Sequence, residues 1–391
     1  MIKMADIKNL VVIGAGQMGT GIGQVALMAG FNVTMVDIKD EYVDKSYANI
    51  EDGMKKLEAK GALKGKTAGE FLANLKKSTD NASAVKDADI MIEAVIEDMD
   101  IKKKVFKTCD ENAPAHCILA SNTSTMSITE MATATNRPDK VIGMHFFNPV
   151  PLMRCIEVIY GDKTSDQSVD IGMEFAGKLP CLRGDRYIAK VLKDRPGFIV
   201  NRVTAPVQIY QNYLFDLVAE KGITWEQLDN DSGGPMPTCV LADYVGIDTI
   251  YHGLKYYEKT LSPDFAPGKV ITKMFNEGKL GAKTGQGFYD WSKGRPSPSR
   301  KAGKARLYKL QYPIAIMVNE GCRILEEGIT TSWEVIDDAL MAGMNMPGPM
   351  RPNVENSAKQ VEVLNELVEM TGKTYFKPCE LLKSGKWVEM K

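Results

Sequence analysis

Apolar and polar residues change their spacing several times along this chain, and the changes mark its elements. Residues 10–13 (LVVI) are a short, continuous apolar run rich in β-branched residues, the pattern of a buried strand. The next segment, GAGQMGTGIGQVALMAG, places Ile22, Val25, Ala26 and Ala29 three and four apart, which predicts a helix closed by Gly30. NVTMV (32–36) predicts a second strand. Further strands are expected at ADIMIEAV (88–95), CILASN (117–122), KVIGMHFF (140–147) and LMRCIEVIY (152–160), with a helix at MDIKKKVFKTCDENA (99–113). Strands alternating with helices predict an α/β domain over residues 1–193, built on a mostly parallel sheet with right-handed crossovers. After about Lys193 the pattern changes. Pro196 and Gly197 punctuate the chain, and VNRVTAPVQIYQNYLFDLVAE keeps a helical period without strand alternation.

The helical part repeats itself. AEKGITWEQLD (219–229) returns as LEEGITTSWEVID (325–337), Gly222 is matched by Gly328, and GGPMP is echoed by NMPGPM. The sequence therefore predicts an all-α domain in two copies, the first over 194–293 and a second, degenerate one over 305–391. Between them SKGRPSPSRKAGK (292–304) has the composition of a flexible linker.

Composition narrows the function classes. A chain of 391 residues exceeds the roughly 250–300 that one core serves. Lys and Arg total 49 against 50 acids, so bulk charge attracts neither nucleic acid nor anionic lipid. The seven cysteines are odd in number and form no CxxC pair, which points to a reducing cytoplasm and away from a disulfide framework or a zinc site; no metal is expected. No apolar run reaches the ~18 residues of a membrane span, and the first apolar segment starts too early for a signal peptide.

Chemistry enters at the glycine loop. Gly14, Gly16 and Gly19 stand between the first strand and the first helix in the order G-x-G-x-x-G, the last two flanking Gln17 and Met18, with Ala15 after the first. In such a loop the first glycine makes the turn, the second admits a pyrophosphate to the backbone and the third lets helix pack on strand. The pyrophosphate then rests on the positive end of the helix. Asp37 closes the second strand near the ~20-residue spacing of a ribose-binding acid, which favours NAD over NADP. A Rossmann-type domain follows from that order. Open sheets of this kind bind ligands beyond the carboxyl ends of their strands, where SNTS (121–124) and HFFNP (145–149) also fall. Of three histidines, His145 is the one delivered to that crevice, and Glu157 follows on the next strand. A carboxylate on one imidazole nitrogen fixes the tautomer and raises the basicity of the other. Oxidation of an alcohol by a nicotinamide needs such a base.

GAGQMGTGIGQVALMAGFNVTMVD, ASNTS, GMHFFNPVPLMRCIEVI, DRPGFIVNR and KTGQGFYDW, in this order, resemble the L-3-hydroxyacyl-CoA dehydrogenase family over about residues 8–293. The resemblance implies NAD-dependent, reversible oxidation of (S)-3-hydroxyacyl-CoA, with 3-hydroxybutyryl-CoA as the expected size. It implies His145 as acid/base, Glu157 as its orienting partner, and Ser124 and Asn201 as hydrogen-bond donors to the substrate's C3 oxygen. For the cofactor it carries over to the loop from Gly14 to Gly19, Asp37, Glu97, Lys102, Asn122, Asn148 and Lys283. For coenzyme A it carries over to Lys60, whereas the family's serine is replaced by Gly53. It also implies that two helical copies in one chain supply an internal pseudo-dimer, with a homodimer as the alternative. GGPMPTCVLADYVGID departs from the family's PMGP-type sequence, which bears on acyl-chain preference. Two other functions stay open at this point: oxidation of a free hydroxy or sugar acid, and a silent NADH-binding structural role.

Overall fold

The computed structural model describes residues 7–234 and 236–391; Pro235, inside the GGPMP segment, lies outside them. Contacts divide the chain into two compact units. One comprises the chain up to Asn201 with Glu327–Gly348 and the terminal Lys391; the other comprises Arg202–Glu326 and Pro349–Met390. Where the sequence places a boundary at 193/194, contacts keep 194–201 with the first unit. Part of the expected second helical copy, 327–348, also packs there.

The first unit is an eight-stranded sheet in the order β3-β2-β1-β4-β5-β6-β7-β8. Its strands are β1 (Asn9–Ile13), β2 (Asn32–Val36), β3 (Leu75–Ser78), β4 (Ile90–Glu93), β5 (Ile118–Ser121), β6 (Val141–Phe146), β7 (Cys155–Tyr160) and β8 (Tyr187–Val191). From β3 through β6 neighbours run parallel, β7 turns antiparallel to β6, and β8 is parallel to β7. Every residue of β4, β5 and β6 is buried, as expected where both faces of a sheet are covered. The covering helices include α1 (Gln17–Met28), α2 (Asp40–Ala59), α3 (Met99–Asn112) and α4 (Asp166–Lys178). Ile22, Val25 and Ala26 of α1, Ile50 and Met54 of α2, and Phe175 of α4 lie in one apolar core with Val12, Met35 and Ile156 of the sheet. Burial of one such side chain contributes roughly 1.5–3 kcal/mol.

The second unit is helical. After a short helix α5 (Val200–Thr204), where the chain passes from one unit to the other, come α6 (Val207–Lys221), α7 (Trp225–Ser232), α8 (Thr238–Val245), α9 (Ile247–Thr260), α10 (Lys269–Asn276) and α11 (Gln311–Glu326). Next in the chain, α12 (Trp333–Met344) belongs to the first unit, and α13 (Ser357–Thr371) and α14 (Glu380–Ser384) return to the second. Buried carboxylates, Asp243 and Glu320 among them, organise this unit. Asp243 accepts the N–H groups of Phe288 and Tyr289 and the indole N–H of Trp291. Burial still raises its carboxyl above the ordinary value, against those bonds. Glu320 accepts from Arg202, Arg323 and the Tyr375 hydroxyl. No helix among the described residues is long and apolar enough to cross a membrane.

Candidate functional site

The glycine loop leaves β1 at Gly14, where φ is +111° and a Cβ would stand 2.4 Å from the Ala94 carbonyl oxygen. At Gly19 a Cβ would come 1.8 Å from the Gly14 carbonyl oxygen, so α1 seats on the turn only without a side chain there. Gly16 is different: among the described residues nothing lies within 4 Å of its would-be Cβ, and no side chain caps α1. The leading N–H groups of the helix therefore remain available to an anion. Gln17 is exposed and Met18 half-buried beside them. Asp37, at the end of β2, accepts the Ala15 N–H at 2.7 Å and the Ile38 N–H at 2.7 Å. This carboxylate is thus fastened to the same loop, and the set fits the diphosphate and ribose of a dinucleotide.

Beyond β4 and β5 lies a buried charge network. Lys102 on α3 is 1% exposed and bonds Glu93 at 2.7 Å and Glu97 at 3.1 Å. The resemblance names Lys102 for the cofactor, but neither its burial nor its pairing with Glu93 is legible from the sequence. Glu93 also accepts the Val95 N–H and the Ser121 hydroxyl. Glu97, largely exposed, takes both the Thr123 hydroxyl and the Ser124 N–H. Asn122 accepts the Phe146 N–H at 2.9 Å and so ties the end of β5 to β6.

His145 and Glu157 face each other across the antiparallel β6/β7 pair, in direct register. Imidazole Nδ1 stands 2.6 Å from Glu157 Oε2, with the acid fully buried and the histidine 5% exposed. A carboxylate only accepts, so Nδ1 carries a proton, and in the neutral imidazole Nε2 presents its lone pair. Nε2 has no hydrogen-bond partner among the described residues. The other oxygen, Oε1, accepts the N–H groups of Ile199 and Val200, both at 3.0 Å. Those donors are aligned by the PGF turn, in which Gly197 has φ +81° and Phe198 φ +55°. A left-handed phenylalanine costs on the order of 1–3 kcal/mol, and its fully buried ring, 5.9 Å from the imidazole, contributes to holding it there. Phe147 packs closer, at 4.4 Å between ring centroids. Asn201 Nδ2 lies 3.5 Å from the Ser124 carbonyl oxygen, which sets these two candidates side by side. In the neighbouring Cys155, burial, then the Glu157 charge, pushes the thiol well above its ordinary value.

Other candidates stand apart. Lys60 is exposed just past α2. Asn148 is exposed beside Pro149. Lys283 belongs to the second unit, where it bonds Asp248 at 2.7 Å. Burial works to raise that aspartate, but the Lys283 hydrogen bond, the local backbone donors and the ammonium charge together outweigh it and hold its carboxyl below the ordinary value.

The NAD binding domain model of 3-hydroxyacyl-CoA dehydrogenase matches residues 9–181, and the C-terminal domain model of the same family matches 197–291. Hydroxyacyl-coenzyme A dehydrogenase, mitochondrial, of Sus scrofa is 38% identical over 74% of this chain and 93% of its own. The 3-hydroxybutyryl-CoA dehydrogenase of Clostridioides difficile is 39% identical over 73% of this chain and all of its own. In fold, the crystal structure of 3-hydroxybutyryl-CoA dehydrogenase from Escherichia coli K12 superposes with a TM-score of 0.83 at 24% identity, over 98% of this chain and 99% of that one. Loop, sheet and histidine–glutamate pair thus occur in a chain that belongs to the 3-hydroxyacyl-CoA dehydrogenase family of NAD-dependent oxidoreductases.

Proposed function

We propose that this protein interconverts (S)-3-hydroxyacyl-CoA and 3-oxoacyl-CoA, with a short acyl chain such as 3-hydroxybutyryl. The observation that carries the reading is the half-satisfied dyad: Glu157 holds Nδ1 of His145 while Nε2 has no partner among the described residues. In oxidation Nε2 takes the hydroxyl proton, and Glu157 stabilises the imidazolium that results. NAD, when bound, accepts the hydride. In reduction the imidazolium returns the proton to the C3 oxygen. Ser124 and Asn201, adjacent to each other, serve that oxygen as donors. Asp37 and the Gly14-to-Gly19 loop take the adenosine and diphosphate portion, Glu97, Lys102, Asn122, Asn148 and Lys283 complete the cofactor set, and Lys60 is assigned to coenzyme A.

The helical region is assigned to two copies of one motif. In each, a long helix ends at a left-handed glycine, Gly222 or Gly328, and the next helix begins with tryptophan behind a Thr or Ser cap. In each, an asparagine of the long helix accepts an N–H at the head of the last short helix: Asn212 from Gly268, Asn319 from Cys379. That assignment supports an internal pseudo-dimer and a monomer in solution, with a homodimer as the alternative. The cytoplasm is the assigned compartment, on the strength of seven unpaired thiols.

The test is NADH oxidation by the purified protein with acetoacetyl-CoA, beside free acetoacetate and beside His145→Ala. Turnover of the CoA ester alone, lost by a factor of about a thousand or more in the variant, is the expected result. Equal turnover of free acetoacetate would move the assignment to a hydroxy-acid dehydrogenase, in keeping with Gly53 at the position of the family's serine.

A further inference from the structure

The Phe147 ring that leans on the His145 imidazole has a neighbour of its own. Behind it lies Gly343, near the end of α12. A Cβ on Gly343 would stand 3.2 Å from Phe147 Cε1, 3.3 Å from its Cδ1 and 3.2 Å from Cys155 Cβ. Ordinary carbon contacts sit at roughly 3.5–4.0 Å. Gly343 is helical and its φ lies outside the left-handed range, so the backbone itself does not call for glycine. Within a helix, glycine costs up to roughly 1 kcal/mol relative to alanine. Close approach to Phe147 and Cys155 is what the missing side chain permits.

The helix has little freedom to retreat from a larger residue. The Ala342 carbonyl accepts the Arg154 N–H at 2.9 Å, one residue before β7, and the Ile329 carbonyl accepts the Leu192 N–H at 2.8 Å, one residue after β8. Lys193 Nζ bonds the Glu327 carbonyl at 2.6 Å. Trp333, Ile336, Ala339 and Leu340 of α12 are buried. With both ends of the segment fastened to strands, added volume at 343 presses on Phe147, and Phe147 presses on the imidazole. We propose that the last turn of α12 positions the histidine of the dyad, with Gly343 as the spacer that sets the distance between the Phe147 ring and His145. This rests on His145 being the proton carrier, and it gives the second helical stretch a task in the active site without a second site of its own. Phe147 and Gly343 are positioning residues; neither exchanges a proton.

The experiment uses the full chain, with Gly343→Val, Gly343→Ala, Phe147→Leu and the two Gly343 variants each combined with Phe147→Leu. Readouts are kcat and KM with acetoacetyl-CoA, NADH affinity from fluorescence, and thermal melting. A shift of a few tenths of an ångström in the imidazole is expected to lower kcat of Gly343→Val about tenfold or more. KM and NADH affinity should stay within about twofold, and Gly343→Ala should lie between. Shortening the ring to Phe147→Leu should restore kcat of the Gly343 variants to within about threefold of Phe147→Leu alone. A wild-type kcat in Gly343→Val, or a loss that Phe147→Leu does not relieve, overturns the proposal. Should Gly343→Val fail to fold, the alanine pair decides by the same criterion. A wild-type protein inactive on acyl-CoA would instead overturn the assigned reaction, and this proposal with it, before any substitution is compared.

Discussion

Replacing Glu157 by glutamine changes the charge at the base of the dyad while keeping its shape. The carboxylate accepts three hydrogen bonds, from His145 Nδ1 at 2.6 Å and from the Ile199 and Val200 N–H groups at 3.0 Å. A glutamine side chain satisfies the two backbone donors with its carbonyl oxygen, which turns its NH2 toward Nδ1. Two donors then face each other unless the imidazole moves its proton to Nε2, the atom that must be free in the oxidative direction. Loss of a charge-assisted hydrogen bond is worth about 1.5–3 kcal/mol, and a buried donor left facing a donor costs about 1–3 kcal/mol. Together these raise the barrier by roughly 3–6 kcal/mol, or about two to four orders of magnitude in kcat. Because the PGF turn keeps its acceptor, melting temperature and NADH affinity should barely change. Steady-state kinetics in both directions, with NADH titration and calorimetry on the same sample, read all three. A folded Glu157→Gln protein that binds NADH and retains more than about a fifth of wild-type kcat would refute the role given to the acid. Glu157→Ala should differ by also losing stability, since it strands two backbone donors and leaves a cavity.

Lys102→Met leaves Glu93 buried without its cation, which costs about 3–5 kcal/mol; a melting temperature lowered by roughly 10 °C is expected, largely recovered when Glu93→Leu is added. Gly16→Ala meets open space and should melt like the wild type while binding NADH several-fold more weakly, whereas Gly19→Ala, with its Cβ 1.8 Å from the Gly14 carbonyl oxygen, should lose both stability and binding in calorimetry and fluorescence titration. The Asp248–Lys283 pair carries a pH signature. Because the folded aspartate titrates below its unfolded value, its contribution is fully present above about pH 4 and vanishes as pH falls through the depressed folded value. The pair is substantially exposed, so Asp248→Asn should cost only about 0.2–1 kcal/mol near neutral pH and nothing in strong acid, measured by urea unfolding at each pH.

Residues that obey a local period were legible from the sequence. NVTMV became β2, and the runs at 88–95, 117–122, 140–147 and 152–160 each contain a strand two to four residues shorter than the apolar run. The glycine loop was legible because its three positions answer to three different steric demands in one short turn. β3 was not: LKKS is a parallel edge strand with two exposed lysines, and its pairing with β2 comes from outside its own sequence. β8 was missed for a related reason, since YIAKV is only partly buried and carries a lysine. The antiparallel turn at β7 is equally silent, because strand polarity depends on the connection, and the 147–154 connection has no helical period to betray a crossover. Yet that polarity is what sets Glu157 opposite His145. The resemblance supplied the partnership, and the register supplies its physical cause. The burial of Lys102 is not legible: KKK on an amphipathic helix reads as solvent-facing, and the acid that draws one of the three inward sits nine residues away on another element.

Buried ionic groups do not by themselves mark the site, because this chain holds several and most have no spare valence. Glu320 is saturated by two arginines and a tyrosine, and Asp243 by two backbone donors and an indole. Such groups cost desolvation energy and return it as fixed geometry. Glu93 and Lys102 are likewise closed on each other and on the ends of β4 and β5. Glu157 is saturated too, with both oxygens engaged. His145 is the member left incomplete: one nitrogen is locked by the acid, and the other has no partner among the described residues at the end of the sheet where an open α/β fold receives ligands. An imidazole fixed on one side and vacant on the other has its missing hydrogen bond to offer to a substrate hydroxyl or ketone. That asymmetry, rather than burial or charge, separates the reactive pair from the structural ones.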